Sequence, residues 1–569
     1  MTSNEEELHR RIRELEREVV HWKSQIKTQR FGLNFLDIPE AFDRESEDKL
    51  PILTEVPECA IAATDDAPTH ILIEGDNYHA LTCLNYTHAS KVDVIYIDPP
   101  YNTGSDGFTY RDKRVLSEYP DGVEIGKNHP ARHSAWLSFM KRRLILAHNL
   151  LSAHGIIFIS IDDNEDAALK LLCDEVFMRE NKVADIIWQS RKSVSNDTFI
   201  SNNHNYTLVY FKDANTWQKG DLNLVAKTDK FSNPDNDPRG AWVADPFDAP
   251  EVRANLTYEI VNPNNNKSYF PTKGRHWRTT EEEYLRLLAD NRIVFGKRGL
   301  TKPQLKRFAS EAEEKGRVPI SIWNDIETTT EGTKQVDRIL GKGAFKNPKP
   351  LELLHRILSI ASASNSIILD FFAGSGTTLH ATLQLNHEDG GRRQCILVQE
   401  PFGKEGNETN ICRDITYERN RRVMQGYTDT RGNTVEGLGG SLRYYRTAFV
   451  GDNNAKNAHE DDQITLAQQA GCLIALAENT LEELTDLRTD FYQLFTDGKR
   501  LTTVYFQEDA RVLPDLVELV RERALPTTAY FLTWNGTAEE FAPEFDGIPQ
   551  VQLKAIPSPI LEIYKKLLA

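Results

Sequence analysis

A carboxylate, two prolines and a tyrosine stand together in Asp98-Pro-Pro-Tyr-Asn-Thr-Gly104, directly after the apolar stretch Val92–Ile97. That stretch predicts a buried parallel strand. The motif then falls at the strand's carboxyl end, where open α/β sheets bind ligands. Pro99 and Pro100 fix φ and carry no N–H, so the carbonyls between Asp98 and Tyr101 are held in place and left to accept. A fixed carbonyl, a carboxylate and a flat ring are the parts needed to grip the exocyclic amine of a flat base. Asp-Pro-Pro by itself also serves as a plain strand-ending turn. A second motif downstream tips the balance.

That motif is Ile367-Ile-Leu-Asp-Phe-Phe-Ala-Gly-Ser-Gly-Thr-Thr378. It opens with a short β-rich run at 367–371, turns through the Gly-rich residues 373–376, and enters a predicted helix at 377–385. Glycines here permit a tight turn and close approach of backbone to a ligand. The apolar run at 395–399 predicts the next strand, and Glu400 at its end suits hydrogen bonding to ribose hydroxyls. The loop lacks the third glycine of the dinucleotide fingerprint and carries Thr378 near that place. S-Adenosyl-L-methionine has no pyrophosphate and does not need that glycine.

Together the two segments resemble the amino-methyltransferases of DNA, DPPY their catalytic motif and FFAGSGTT their cofactor loop. The catalytic motif precedes the loop by about 270 residues, an order similar to the β group of these enzymes, which carry target recognition between the two. The chain also resembles the modification subunits of type III restriction systems. That likeness rests on residues 70–77 (HILIEGDN), DPPYNTG, 133–143 (HSAWLSFMKRR), 158–165 (FISIDDNE), 206–212 (YTLVYFK), 347–354 (NPKPLELL) and 554–565 (KAIPSPILEIYK). The resemblance implies a Rossmann-like α/β methyltransferase sheet with S-adenosyl-L-methionine as cofactor. It implies that Asp370, Phe372, Ala373, Gly374, Ser375, Gly376 and Thr377 cradle the methionine end and that Lys349 contacts it. Glu400 would hold the ribose and Asp76 would face the adenine. Alternatives for Asp76 and Asp370 are a turn residue and a helix N-terminus partner.

Composition agrees with a soluble multidomain protein. At 569 residues, with 39% hydrophobic and 27% charged residues, two to four domains are expected. No apolar run is long enough to span a membrane, and no signal-peptide pattern opens the chain. Cysteines 59, 83, 173, 395, 412 and 472 are scattered without a CxxC pair. No metal site is expected, and a reducing cytoplasm is the expected location. The net charge of −17 argues against a uniformly basic DNA binder, but a local patch suffices. Residues 267–307 hold 11 Lys/Arg against four Asp/Glu, interleaved with aromatics. Within this block Arg275, Arg278, Lys297 and Arg298 are the candidate phosphate contacts; the alternative is a solvated helical face.

These motifs must be positioned by a folded frame. Leu8, Ile12, Leu15, Val19, Trp22 and Ile26 are spaced 4, 3, 4, 3, 4, which predicts an amphipathic or coiled-coil helix over 1–30. Residues 31–66 read as a linker or arm. The catalytic half spans 67–212, with strands at 71–74, Val92–Ile97 and 156–161, helices near 78–86 and 135–151, and a hairpin from 183–188 and 208–211. Residues 213–345 break the rhythm and are assigned to target recognition. The cofactor-binding half covers 346–435, with strands at 367–371 and 395–399 as the last two of the sheet. Residues 436–569 read as a separate α/β assembly domain, with helices at 463–490, 512–524 and 558–569 and a strand at 502–506.

The expected activity is methyl transfer to the N6 amine of adenine in duplex DNA, with the base flipped out of the stack. Asp98 and the Pro99 carbonyl would accept the two N–H bonds, and Tyr101 would stack on the base. Adenine is preferred to cytosine N4 because DPPY resembles the adenine enzymes. Other readings are a solitary methyltransferase, a recognition scaffold for a nuclease, or an enzyme acting on RNA or an amide. Type III relatives imply a homodimer and an ATP-dependent restriction subunit. The chain has no GxxxxGK[ST] loop, so ATP hydrolysis by that route would come from elsewhere.

Overall fold

The computed structural model describes Phe35 and residues 49–62, 67–103, 131–196, 198–218, 220–223, 231–296, 298–311, 318–401, 409–506, 510–534 and 536–567. The heptad at 1–30, most of the arm and Lys297 lie outside the described residues. Two compact units are present, residues 219–319 and the remainder.

The larger unit is built on one mixed sheet. Its strands are β1 (Leu50–Glu55), β2 (Thr69–Glu74), β3 (Val92–Ile97), β4 (Leu151–Ile161), β5 (Lys182–Trp188), β6 (Asn205–Phe211), β7 (Ile322–Trp323), β8 (Ile367–Asp370), β9 (Gln394–Gln399) and β10 (Ser441–Val450). Their spatial order is β1-β10-β2-β9-β8-β3-β4-β6-β5-β7. The centre is parallel, with Leu369 opposite Ile95 and Ile95 opposite Ile157. The β5–β6 hairpin adds antiparallel strands on one side, and β1 does so at the other edge. Helices α1 (Asn77–Thr87), α2 (Ala131–Leu150), α3 (Asp166–Val176), α4 (Thr329–Leu340), α5 (Leu351–Ala361), α6 (Thr377–Asp389) and α7 (Glu418–Gln425) complete the catalytic part of this unit. This is the Rossmann-like sheet expected from the motifs. Chain direction diverges at β8 and β3: β8 leads through α6 to β9 on one side, and β3 leads to β4 on the other. Their carboxyl ends therefore form a switch point of the kind that binds ligands.

Three features differ from the sequence reading. Residues 50–55 form an edge strand paired with β10 rather than an arm, with Leu50 opposite Val450. Pro51 is tolerated there because an edge strand leaves one row of N–H groups without a ladder partner. The strand β10 belongs to the main sheet, beside β2, so the sheet has strands beyond those at 395–399. The helix expected over 463–490 is two, Glu460–Gln469 and Gly471–Glu478, ended by Asn479 at φ 56°.

The C-terminal segment forms a five-stranded sheet over Glu482–Ile556 with its own apolar core. It is not detached from the catalytic sheet. Val504, Tyr530, Ile556, Ile560 and Tyr564 share one continuous core with Ile52, Leu81 and Leu84. The Tyr564 hydroxyl donates to the Pro51 carbonyl at 2.9 Å.

The smaller unit includes a three-stranded sheet, Ile293–Val294, Gln304–Phe308 and Trp242–Pro246, and the helix Glu281–Ala289. Thr280 caps that helix. Phe247, Ile260, Trp277, Tyr284 and Phe295 form its core. Its limits fall inside the stretch 213–345 assigned by sequence. Helix α4, by contrast, packs within the larger unit, where the Arg422 Nη1 of α7 donates to the Ile339 carbonyl.

Candidate active site

The switch point opens into a cleft of about 1520 Å³ lined by both motifs. Asp98, Pro99, Pro100 and Tyr101 come from the end of β3. Asp370, Phe372, Ala373, Gly374, Ser375 and Thr377 come from the end of β8 and the start of α6, and Lys349 comes from the turn before α5. The expected adjacency of Asp98 and Gly374 is thus present, although about 270 residues separate them in the chain.

Asp98 is held by two donors. Lys349 Nζ lies 2.5 Å from Oδ2, and the Tyr101 hydroxyl donates to Oδ1 at 2.7 Å. Lys349 Nζ is also 2.8 Å from the Tyr101 hydroxyl and 5.1 Å from the ring centroid. Burial and the neighbouring Asp98 carboxyl push the Tyr101 phenol well above its usual range, so it remains a donor. The Pro100 carbonyl is taken by Trp136 Nε1 at 2.7 Å. Among the described residues none donates to the Pro99 carbonyl. Asn102 adopts φ 52°, a left-handed conformation that asparagine tolerates. Its Nδ2 donates to Glu165 Oε1 at 2.6 Å, and His133 Nδ1 lies 2.6 Å from the same oxygen. The turn is therefore fixed from the start of α3 and from α2. Glu165, Trp136 and His133 lie inside motifs quoted above, but nothing in their spacing showed that they clamp this turn.

The second wall is the glycine loop. Gly374 and Gly376 stand at φ 52° and 73°, the region open to glycine at little cost. A Cβ on Gly376 would sit 2.3 Å from Asn420 Nδ2. Gly374 N donates to Gln399 Oε1 at 2.7 Å, and its carbonyl accepts from Thr416 Oγ1 at 2.6 Å. Below the loop lies Arg419, fully buried, whose Nη1 donates to Ser375 Oγ at 2.9 Å and Thr377 Oγ1 at 2.7 Å. Burial lowers this guanidinium to about 10. No sequence signal marked Arg419, because ITYERNRRVM reads as a charged, solvated helix.

Asp370 lies at the base of the cleft, fully buried, accepting from Thr378 Oγ1 at 2.5 Å and Phe372 N at 3.0 Å. Burial outweighs both hydrogen bonds and raises its carboxyl to about 7.

Three expected residues stand outside the cleft lining: Gly376 within the loop, Asp76 and Glu400. Asp76 caps α1, accepting from Tyr78 N at 2.7 Å, and faces the buried Arg143 at 3.6 Å. Its neighbour Asn77 ties α1 to β8 by donating to the Phe371 carbonyl at 2.9 Å. Glu400 ends β9, partly buried, while Gln399 before it reaches the cleft. Among the described residues no cluster of ligands suits a metal ion.

The smaller unit carries the basic block, but most of its charge is neutralised. Arg275 lies 3.1 Å from Asp248, which also takes Lys302 at 2.9 Å. Lys306, fully buried, pairs with Asp235 and Asp237, Arg307 with Asp245, Arg292 with Glu311 and Arg286 with Glu283. The carboxylates Asp235, Asp237, Asp245, Asp248 and Glu311 come from outside the window counted by sequence. Lys267, Lys273, Arg278 and Arg298 are exposed and have no carboxylate partner among the described residues.

The DNA methylase family pattern matches residues 92–423, a stretch that includes both walls of the cleft. The chain belongs to the DNA methylase family. This DNA methylase is 34% identical over 447 residues to the StyLTI Mod subunit of a type III restriction-modification enzyme from Salmonella typhimurium LT2. That match covers 74% of this chain and 67% of the relative. It is 32% identical to the EcoPI Mod subunit from Escherichia phage P1, over 64% of each chain. The chain thus spans about two thirds of the length of these relatives. Among solved structures, the M1.HpyAVI complex with S-adenosyl-L-methionine is 14% identical, with a TM-score of 0.26, over 58% of this chain and 94% of that one. As a DNA methylase the protein is a methyltransferase that takes its methyl group from S-adenosyl-L-methionine. No helix among the described residues is long and apolar enough to cross a membrane.

Proposed function

We propose that the protein methylates the N6 amine of adenine in duplex DNA as the modification and recognition subunit of a type III restriction-modification system. The observation that carries this reading is the meeting of Asp98, the Pro99 carbonyl, to which no described residue donates, and the glycine loop in one cleft. Asp98 Oδ and the Pro99 carbonyl accept the two N–H bonds of the amine. That draws the nitrogen toward tetrahedral geometry and directs its lone pair at the methyl group. One of the donors now on Asp98 gives way as the amine arrives, and Lys349, on its flexible stem, is the one able to swing. Tyr101 offers its ring to the base. Positioning of this kind contributes about 7–11 kcal/mol. The proton leaves after attack, so Asp98 need not be a strong base.

The residues fit the cofactor. S-Adenosyl-L-methionine, when bound, supplies an electrophilic methyl group on a sulfonium. The glycine loop gives the close backbone approach, Phe345 and Phe372 give apolar walls, and Asp370 and Asp98 favour a cation. Glu400 and Asp76 are assigned to ribose and adenine by family likeness only. Lys349 is assigned to Asp98 and Tyr101 as well as to the methionine end. Lys267, Lys273, Arg278 and Arg298 are assigned to DNA phosphates. The type III likeness supports a restriction partner, a homodimer and a cytoplasmic setting, and the apolar spacing of Leu8–Ile26 offers the N-terminal heptad as the dimer contact. Labelled cofactor, unmodified DNA and mass spectrometry of the nucleosides test the activity. N6-methyladenine is the expected product; N4-methylcytosine, or no modified base, would sink the reading.

Asp370 gives this site a pH dependence. Its folded value of about 7 lies above the unfolded value of about 3.9. The folded chain therefore binds the extra proton, and the penalty of burying the carboxylate is absent below about pH 4 and complete above about pH 7. A cationic ligand favours the carboxylate. Cofactor affinity is thus expected to rise as pH passes upward through about 7, with close to one proton released per cofactor at pH 6 and few at pH 8. Calorimetry in buffers of different ionisation enthalpy measures this release. An Asp370→Asn variant should lose it; equal release in that variant would assign the proton to another group.

A further inference from the structure

The three most exposed large apolar side chains among the described residues lie in one loop. Phe199 is 110% exposed, Ile200 87% and Val194 73%. The loop joins β5 to β6 over residues 189–204. Nothing in the catalytic reading uses its tip, and leaving such surface in water is unfavourable.

The stem of the loop is built and belongs to the cleft. Arg191 N donates to the Asn203 carbonyl at 3.1 Å, and its Nη2 donates to the Asn202 carbonyl at 2.5 Å. Ser190 Oγ donates to Asn205 Oδ1 at 3.0 Å, and Ser195 N to Ser201 Oγ at 2.9 Å. Asn205 Nδ2 lies 3.5 Å from the Tyr101 hydroxyl. Ser190, Arg191, Asn202, His204 and Asn205 line the same cleft as Asp98. The apolar tip is thus carried on a hydrogen-bonded stem rooted beside the catalytic tyrosine. Exposed Arg191 and Lys346 both stand on the cleft wall, which suits a polyanion.

Asp98 cannot reach an amine inside a base stack, so the target base must leave it, and a gap opens where it stood. Apolar side chains inserted between base steps are an established way of holding such a distortion. We propose that Phe199 and Ile200 form a wedge that enters the duplex at the target position and fills the space vacated by the flipped base. The proposal rests on the flipping mechanism above. Phe199 and Ile200 are DNA-positioning residues and touch no reacting atom. The adjacent Arg191 and Lys192, both exposed, attract the flanking phosphates.

The test uses the full chain and a Phe199→Ser/Ile200→Ser double variant. Both side chains are fully solvated, so melting temperature and cofactor affinity should not change. Sites modified by the wild type are mapped first. Two duplexes carrying such a site are then compared, one fully paired and one with an abasic position opposite the target. The variant should lose about tenfold or more in single-turnover methylation of the paired duplex and less than about threefold on the abasic one, because unpairing there costs less. With 2-aminopurine at the target, the wild type should give a fluorescence rise that the variant lacks. Equal losses on both duplexes, or none on the paired one, would overturn the wedge. Equal losses together with an altered oligomeric state in light scattering would assign the tip to a protein interface instead. A wild-type fluorescence rise retained in the variant would remove the wedge and leave flipping intact. No rise in the wild type would remove flipping, and the wedge with it.

Discussion

An Asp98→Ala variant is expected to lose methyl transfer by about 10²–10³-fold, the range for removing one pre-placed hydrogen-bonding group aimed at the transition state. The argument is geometric. Asp98 sits at the end of β3 beside the end of β8, and both of its oxygens are already directed by Lys349 and Tyr101. It stands next to a backbone acceptor that no described residue engages, the Pro99 carbonyl, on a turn pinned by Trp136 and Glu165. Alanine there leaves the glycine loop in place but removes one of two carboxylates that favour the cofactor's cation, so cofactor affinity should fall far less than the rate. The loss then appears in the rate at saturating cofactor and DNA, as for an interaction made only in the transition state. Lys349 loses its ion pair in the variant but keeps the Tyr101 hydroxyl. Asp98→Asn, which keeps one acceptor oxygen and the shape of the side chain, should fall less than alanine. Single-turnover transfer of a labelled methyl group gives the rate, and calorimetry gives the cofactor affinity. A fully active alanine variant would end this mechanism; an inactive one that has also lost the cofactor would make Asp98 structural.

Much of this site was legible because buried parallel strands announce themselves. Val92–Ile97 is six residues of almost unbroken apolar sequence, and its observed limits match its pattern. The run ending at Gln399 behaves likewise. Each such strand ends at the same edge of the sheet, so a motif placed just after one must reach the cleft. Edge strands carry less signal. Leu50–Glu55 holds a proline and sits beside acidic sequence, and only its pairing with β10 makes it a strand. Pairing is a non-local fact, and no window around residue 50 contains it. The helix expected over 463–490 instead stops at Asn479, a left-handed C-cap that the apolar pattern does not announce.

Charges were the least legible feature, for a related reason. A window count treats every cation as free, whereas the fold can bring carboxylates from any distance along the chain. Arg419 shows the converse. Its neighbours in sequence are charged and its helix looks solvated, yet the turn of chain at Ile411–Tyr417 places it under the cofactor loop. Its depth follows from tertiary packing and from nothing local.

The basic block therefore divides into two sets with different expected behaviour. Neutralising Lys267, Lys273, Arg278 and Arg298 together should weaken DNA binding and flatten its salt dependence by about 0.9 per lost phosphate contact, or some 3–4 in slope if all four touch phosphate. Across a fourfold rise in salt, that slope is worth about a hundredfold in affinity. The protein's melting temperature should hardly move, because these side chains are exposed and make no ion pair among the described residues. Arg275, included with the phosphate contacts by sequence, is expected to behave like the second set. It is held by Asp248, as Lys302 is, and Lys306 is fully buried against Asp235 and Asp237. Removing Lys306 takes a buried cation from Asp237, which keeps Arg239, and from the part-exposed Asp235, which keeps Trp242, so a packed ion-pair network is weakened. Lys306→Gln should therefore lower the melting temperature of the smaller unit while leaving the slope per bound protein unchanged. Titration of a labelled duplex at several salt concentrations, with thermal melts alongside, separates the two sets. An unchanged slope after loss of the four free cations would make the block a solvated face. DNA would then have to be held by other parts of the chain, the cleft rim at Arg191 and Lys346 first among them.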